Sequence, residues 1–419
     1  MLPANNLSLK SFIVLLMLLT PAVSWPAEGE PPVIGKIVIT GNERTRESVI
    51  RAIIRTREGE IFTRETPLRI KRYLDNQRKF SRVEVTYKIE DRLATILIYV
   101  KDKWSLIAAP YYSYKAGESS YGFLFLESNF LGYQNVLFLS SIYEYEHLNG
   151  KFLYSHPRVL GSLFSYVALL ERDYHPVENY RDGEKISEFM RDEYGGLMNF
   201  KYQFYGEHYL MLLLKNYRFE DGDTPLGQGS GFRHTAKCYV ELDWLHFKDF
   251  MAYGTYVGIY YENDLGGSVD FKRAGGKIEQ FFNPVAQHNL YLGAHFFYTF
   301  DVTPTFEARL GQDQTEYFGF LRGYEKGQIE ALQALTASME YRIPLVEVFS
   351  TTLIFTAFTD LALSTTRKEF LSLGEFDYAV GGAFRFYLKE VLIPAVQVYA
   401  AYGFKYENLS IGVMIGARL

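Results

Sequence analysis

The residues best equipped for chemistry are few and late in the chain: the run Phe320-Leu321-Arg322-Gly323-Tyr324, then the acids Glu340 and Asp360. A guanidinium is a planar fork of donors whose natural partner is a carboxylate. Gly323 beside it lets the backbone turn with positive φ. Arg322 and Tyr324 then project from a loop tip, and the guanidinium needs an acid to meet. Taken alone, the run reads as a solvated turn. What distinguishes the two readings is where the acids point.

That is legible from alternation. In 335–343 the apolar set is Leu335, Ala337, Met339, Tyr341 and Ile343, which leaves Thr336, Ser338, Glu340 and Arg342 on the other face. In the next segment Phe355, Ala357 and Leu361 share the apolar face, opposite Thr356, Phe358 and Asp360. A period of two is the strand signature. Glu340 and Asp360 therefore sit on the polar face of adjacent strands, directly after the loop that carries Arg322.

The same pattern fills 104–419. The last segment alternates Leu409, Ile411, Val413, Ile415, Ala417 and Leu419 with Ser410, Gly412, Met414, Gly416 and Arg418. A soluble sandwich also alternates, but its strands run about 5–6 residues. These run about 10–14, and crossing a bilayer at a tilt takes roughly 9–11. Their apolar faces are rich in Tyr and Phe; the chain holds 34 and 33 of them. Closure into a barrel removes the strand edges that lipid cannot satisfy. Segments starting near 104, 119, 134, 149, 162, 188, 207, 232, 251, 268, 287, 331, 350, 377, 393 and 408 make about sixteen, an even number that suits a single-chain barrel with a true lumen. The longest gap, about 301–330, reads as strandless and holds the Arg-Gly-Tyr run. A second gap at 220–231 is acidic and glycine-rich, but it lacks the spacing of a calcium loop and reads as solvated.

Ahead of this lies a different pattern. Residues 1–27 have a basic residue, Lys10, an apolar run from Phe12 to Leu19 and small residues at Ala22, Ser24 and Ala27. This is the layout of a secretory signal, too short to span a membrane as a helix. Residues 33–103 then read strand, helix, helix, strand, strand. Ile34–Ile39 ends at the turn Gly41-Asn42, and Thr45 is placed to cap a helix that Gly59 ends. A second helix over 67–79 turns Leu68, Ile70, Tyr73 and Leu74 to one side. This segment carries 17 Lys and Arg against 10 Asp and Glu, whereas 104–419 carries 26 against 37. A basic module tethered to an acidic one suits anionic lipid headgroups or acidic polypeptides, and its sheet edges suit an added strand.

Enzyme chemistry finds no foothold. There is no GxSxG, P-loop or dinucleotide fingerprint, and the eight histidines have no metal-binding spacing. Cys238 is the only cysteine, which excludes an intramolecular disulfide and a thiolate cluster. No enzyme activity, metal or cofactor is expected, and no nucleic-acid partner.

Four stretches carry a family resemblance. Leu321-Arg322-Gly323-Tyr324 resembles the [VIL]RG[YF] loop motif of the bacterial surface antigen superfamily, which includes BamA- and TamA-like assembly factors and two-partner secretion transporters. Ser338-Met339-Glu340-Tyr341-Arg342 and Phe358-Thr359-Asp360 are similar to that family's next two strands, and Glu127-Ser128-Asn129-Phe130-Leu131-Gly132 to its early N-F-x-G stretch. The order of elements in 33–103 resembles one polypeptide-transport-associated (POTRA) domain. Ala362 stands where the family often has glycine, the chain ends in Leu419 where an aromatic is usual, and only one POTRA-like domain is present.

The expected fold is mainly β: a sixteen-stranded transmembrane β-barrel after one small α+β (βααββ) domain. The resemblance implies an outer-membrane protein with the POTRA-like domain in the periplasm. It implies an assembly, insertion or translocation factor whose clients are unfolded outer-membrane or secreted polypeptides, with a periplasmic or lipoprotein partner at the POTRA-like domain. A lateral gate would open between the first and last strands, loosened by Gly412 and Gly416, and Arg322 would pin the inward loop to Glu340, Phe358 and Asp360. A pore-forming channel or dedicated polypeptide exporter is the alternative, and a purely structural surface antigen a third reading.

Overall fold

The computed structural model describes residues 31–115, 118–181, 184–222, 229–248, 251–285, 287–303, 308–310, 321–325, 327–366, 376–391 and 395–415. The signal read at 1–27, Gly416 and the terminal Leu419 lie outside these residues.

The small domain comprises β1 (Val33–Thr40), α1 (Glu47–Ile54), α2 (Thr66–Asn76), β2 (Phe80–Glu90) and β3 (Leu93–Asp102). Its sheet order is β1-β3-β2, with β3 parallel to β1 and antiparallel to β2. A parallel pair needs a crossover, which the two helices supply. Ile34, Ile37, Ile50, Ile54, Ile70, Leu74, Ile96 and Ile98 form its core. Three local expectations fail. Helix α1 stops at Arg55, whose backbone is left-handed, well before Gly59. Thr45 caps nothing; its Oγ1 donates to Asp102 Oδ1 at 2.5 Å and ties the helix entry to β3. Leu68 is 66% exposed, because two residues from Ile70 is the far side of a 3.6-residue turn.

The wall that follows consists of β4 (Leu106–Lys115), β5 (Glu118–Phe130), β6 (Asn135–Glu144), β7 (His147–His156), β8 (Phe164–Arg181), β9 (Glu184–Tyr205), β10 (His208–Asp221), β11 (Ser230–Asp243), β12 (His246–Lys248), β13 (Met251–Gly267), β14 (Phe271–Phe282) and β15 (Asn289–Val302). After the loop come β18 (Gln333–Val348), β19 (Thr351–Thr365), β20 (Asp377–Leu388), β21 (Ala395–Gly403) and β22 (Asn408–Ile415). Strand β12 continues β11 across a two-residue break and pairs with the same neighbour, β13, so the wall has sixteen strands. Its order returns β22 to β4. Among the described residues, every other junction of the wall has antiparallel register pairs. The gap read as strandless is not: β16 (Ala308–Leu310) and β17 (Ile329–Ala331) pair and form the stem of the loop.

Alternation sorts the side chains as expected. Ile259, Tyr261, Leu361, Phe384, Phe386 and Ile411 point outward and are exposed, while Glu262, Thr336, Thr356, Asp360 and Arg385 point inward and are buried. No helix among the described residues is long and apolar enough to cross a membrane; the strands do so. Strands β8 and β9, with 18 and 22 residues, exceed the roughly 9–11 needed for crossing. Their hairpin therefore stands proud of the barrel on the side away from the small domain.

Ile259 lies at the middle of β13 and is 61% exposed. Ile259→Arg would place a charge on the lipid face and cost about 2–4 kcal/mol. Urea titration of the barrel folded in liposomes measures this; a cost within experimental error would overturn the outward assignment.

Candidate functional site

The loop stem enters the lumen through an apolar seat. Leu310 of β16, Ile329 and Ala331 of β17, and the loop residues Leu321 and Tyr324 pack with Phe297, Ala334, Ala362 and Ala379 of the wall. Three inward alanines leave the space that larger side chains would fill. Ala362, the departure from the family's glycine, is one of them and is buried in this contact. Leu321 and Tyr324 are fully buried on either side of Arg322-Gly323. Burial of the flanks fixes what the polar tip can reach.

Arg322 is itself fully buried. Its Nε donates to Asp360 Oδ2 at 2.8 Å and its Nη2 to Asp360 Oδ1 at 2.8 Å, a bidentate fork. Its backbone N–H donates to the same Asp360 Oδ2 at 3.0 Å, and Nη1 donates to Glu340 Oε1 at 2.7 Å. The guanidinium carbon lies 3.5 Å from the ring centroid of Phe358, a cation–π contact that covers the face the carboxylates leave open. Every residue that the sequence assigned to this constellation is thus within contact of Arg322. Full satisfaction matters because desolvating such ions costs several kcal/mol each.

Two further arginines adjoin it. Arg342 donates to Glu340 Oε2 from Nη2 at 2.6 Å and from Nε at 3.0 Å. Arg385 approaches the same oxygen at 3.7 Å. Register explains the grouping: Glu340 pairs with Phe358, Arg342 with Thr356 and Ile354 with Arg385 across β18, β19 and β20.

The tip also reaches the last strand, through residues that sequence reasoning did not single out. Gly323 N–H donates to Ser410 Oγ at 3.0 Å, and Asn408 Nδ2 donates to Gln328 Oε1 at 3.1 Å. Tyr324 Oη donates to the Tyr378 carbonyl at 3.2 Å. Gly323 has φ 95°, and a Cβ there would stand 2.6 Å from Gly403 N, so the tip lies backbone to backbone on β21. The available signal was that Ser410 carries a hydroxyl on the inward face of the final strand. Gly412 has a different reason from loosening a seam: a Cβ would come within 2.4 Å of the buried Tyr399 ring on the paired strand.

From the far side, Tyr180 at the β8–β9 hairpin donates to Glu325 Oε2 at 3.1 Å. Strands β8 and β9 stand across the barrel from β18 and β19, so this hairpin reaches over the lumen to the loop.

The near side is occupied by the small domain. Arg46 N–H and Nε donate to the carbonyls of Gly132 and Leu131 at 3.0 Å each, and Asn129 Nδ2 donates to Thr45 Oγ1 at 3.0 Å. The Asn129–Gly132 stretch is therefore the joint between the two units. Arg55 Nη1 donates to the Gly206 carbonyl at 3.1 Å, Arg158 Nη1 to Gln77 Oε1 at 3.2 Å, and Lys101 pairs with Glu390 at 3.0 Å. Asn76 Oδ1 accepts from Phe247 N–H at 3.3 Å. The domain thus bridges the turns after β5, β7, β9, β11 and β20, beneath the mouth. Part of its positive charge is spent on barrel carbonyls and acids instead of external anions. Lys79, which donates to the Ser128 carbonyl at 3.3 Å, is held down to about 8 by burial and by Lys103, with Glu127 opposing.

Residues 32–103 match the family model described as POTRA, surface antigen variable number repeat; this segment is a POTRA domain. The whole chain is similar in fold to several solved structures. BamA from Haemophilus ducreyi lacking POTRA domains 1–3 covers 92% of this chain and 85% of its own at 14% identity and TM-score 0.54. CdiB from Escherichia coli covers 95% and 92% at 10% identity and TM-score 0.58. CdiB from Acinetobacter baumannii covers 92% and 74% at 12% identity and TM-score 0.57. What is shared at such identities is the fold. No curated protein matches the chain.

Two outcomes follow from this geometry. Gly323→Ala, with Arg322 intact, should lift the tip off β21 and raise amide hydrogen exchange in 321–325 at least several-fold; unchanged exchange would show the close approach to be dispensable. The second concerns Lys79, whose amine is ordinary near 10.5 when the POTRA domain is undocked. Between about pH 8 and 10.5 the undocked form then binds more protons, so docking strengthens as pH rises through that window and is weakest below it. Spin-label distances between α2 and the β5–β6 turn should follow this trend in the wild type and lose it in Lys79→Met.

Proposed function

We propose that this protein is an outer-membrane assembly factor that inserts or translocates polypeptides, with no enzymatic step of its own. The observation that carries the reading is the span of one loop. Arg322 holds it to β18 and β19, while Gly323 and Gln328 hold it to Ser410 and Asn408 of the last strand. A loop fastened on both sides cannot leave the wall without changing what restrains β22. Release would free the last strand at its junction with β4, and the exposed edge would template a client strand by main-chain hydrogen bonds. The client would then pass sideways into lipid, where unpaired backbone is not tolerated. The POTRA domain, seated beneath the mouth, would receive clients on the periplasmic side and must shift to admit them. Unfolded outer-membrane or secreted polypeptides are the clients this chemistry fits.

A dedicated exporter is the second reading, and one observation favours it. Separate elements meet the barrel at its two ends, the POTRA domain at the Gly206 turn and the β8–β9 hairpin at Glu325. Such an arrangement suits a conduit that opens along its axis.

The test is the folding rate of a urea-unfolded outer-membrane barrel in liposomes, with and without this protein. Acceleration is expected, and it should fall by an order of magnitude in Arg322→Ala, which leaves the buried Asp360 without its fork and Glu340 with Arg342 alone, and costs about 3–5 kcal/mol at the loop. Ser410→Ala should reduce it less, because a neutral hydrogen bond contributes only about 1 kcal/mol. No acceleration by folded protein would sink the insertion reading. A large, steady conductance in planar bilayers would point to the exporter instead.

A further inference from the structure

Three guanidiniums converge on two carboxylates beneath the loop: Arg322, Arg342 and Arg385 against Glu340 and Asp360. Arg322 and Arg342 between them occupy both oxygens of Glu340. Arg385 is left 3.7 Å from Glu340 Oε2, beyond hydrogen-bond reach. Its Nε and Nη2 donate to Gln397 Oε1, and its Nη1, although buried, has no hydrogen-bond partner among the described residues. Arg385 is only 2% exposed. The charged groups that face it are Arg342, Glu340 and Arg322, so two like charges and one shared acid surround it. A buried donor without an acceptor, inside a cluster with one cation too many, is costly in this arrangement. It is not costly in another. If Arg322 leaves with the loop, Glu340 Oε1 loses its donor, and Arg385, whose Nη2 already lies 3.7 Å from the carboxylate, can supply one.

We propose that Arg385 is a positioning residue that competes with Arg322 for Glu340, weakening the loop's hold on the wall and receiving Glu340 when the loop withdraws. The inference rests on the loop being a movable element, as argued above. Arg385 sets the balance of the two states from the wall side, through Glu340, without touching the loop motif itself. A merely structural brace would act in the opposite sense: its loss would loosen Glu340 and free the loop.

The sign is therefore the test. Amide hydrogen exchange of Arg322 and Gly323, whose N–H groups are tied to Asp360 and Ser410, is read by mass spectrometry on the full chain folded in liposomes. Arg385→Gln, which removes the charge and keeps a hydrogen-bonding partner for Gln397, should slow that exchange by about 5-fold or more, the low end of coupling between interacting sites. Arg385→Lys, which keeps the charge, should exchange like the wild type. Arg385→Met, neutral and of similar length, should behave as Arg385→Gln and serves if the glutamine variant does not fold to a heat-modifiable barrel. Exchange that is unchanged or faster in both neutral variants overturns the competition. Arg322→Ala is the separate control: if it does not speed exchange, the movable-loop reading fails, and the proposal fails with it for a different reason.

Discussion

The structure turns on a buried ion network that has no water to fall back on. Arg322 is enclosed with Asp360 and Glu340 on the inner wall of a barrel wide enough to be wet, and it is dry because the loop brings its own apolar cover. Leu321 and Tyr324 bury into the alanine-lined seat and exclude solvent, which raises both the cost of desolvating the charges and the strength of their attraction. Neither half holds without the other. An apolar tip with no ion pair would have no register on the wall, and an exposed ion pair would contribute little. The result is a loop held to the wall by both kinds of contact at once.

Placement turns this local device into a property of the whole barrel. The receptor acids lie on β18 and β19, whereas the backbone of the tip rests on β21 and hydrogen-bonds to β22. One loop therefore spans from the middle of the wall to the last strand. The same loop is touched by Tyr180 from the opposite wall. Strand order places β22 beside β4, so the strand that closes the barrel is also the one the loop holds. The POTRA domain completes the closure from below. Its arginines donate to turn carbonyls, which are fixed partial charges that remain available whatever the ionisation state of the surrounding acids.

The three arginines show how such a site can be stable and still poised. In this arrangement the two carboxylates are taken up by Arg322 and Arg342, and the surplus falls on Arg385. A site built for stability alone would have met Arg385 with a third acid or replaced it with an apolar residue. Its place beside Glu340 is what the competition proposed above rests on. Gln397 limits the cost by accepting two of its donors, leaving the remaining nitrogen uncommitted.

The sequence by itself determined the wall and the faces of its side chains. A period of two is local, and whichever way the barrel closes, Glu340 and Asp360 must share the face that Met339 and Leu361 do not. Strand starts could be read to within a few residues for the same reason, since turns and alternation are short-range signals. Only the tertiary structure decided what lies across the lumen. Ser410, Gly403, Asn408 and Tyr180 are ordinary in sequence; they become partners of the loop because barrel closure brings strands far apart in the chain to within reach of one tip. Gly412 reads as a loosened strand until the Tyr399 ring is seen to fill its space. The basic surplus of the POTRA domain reads as a surface for external anions until the turns of the barrel are seen to take up part of it. Local pattern sets which way a residue faces, and closure of the chain on itself sets what it meets there.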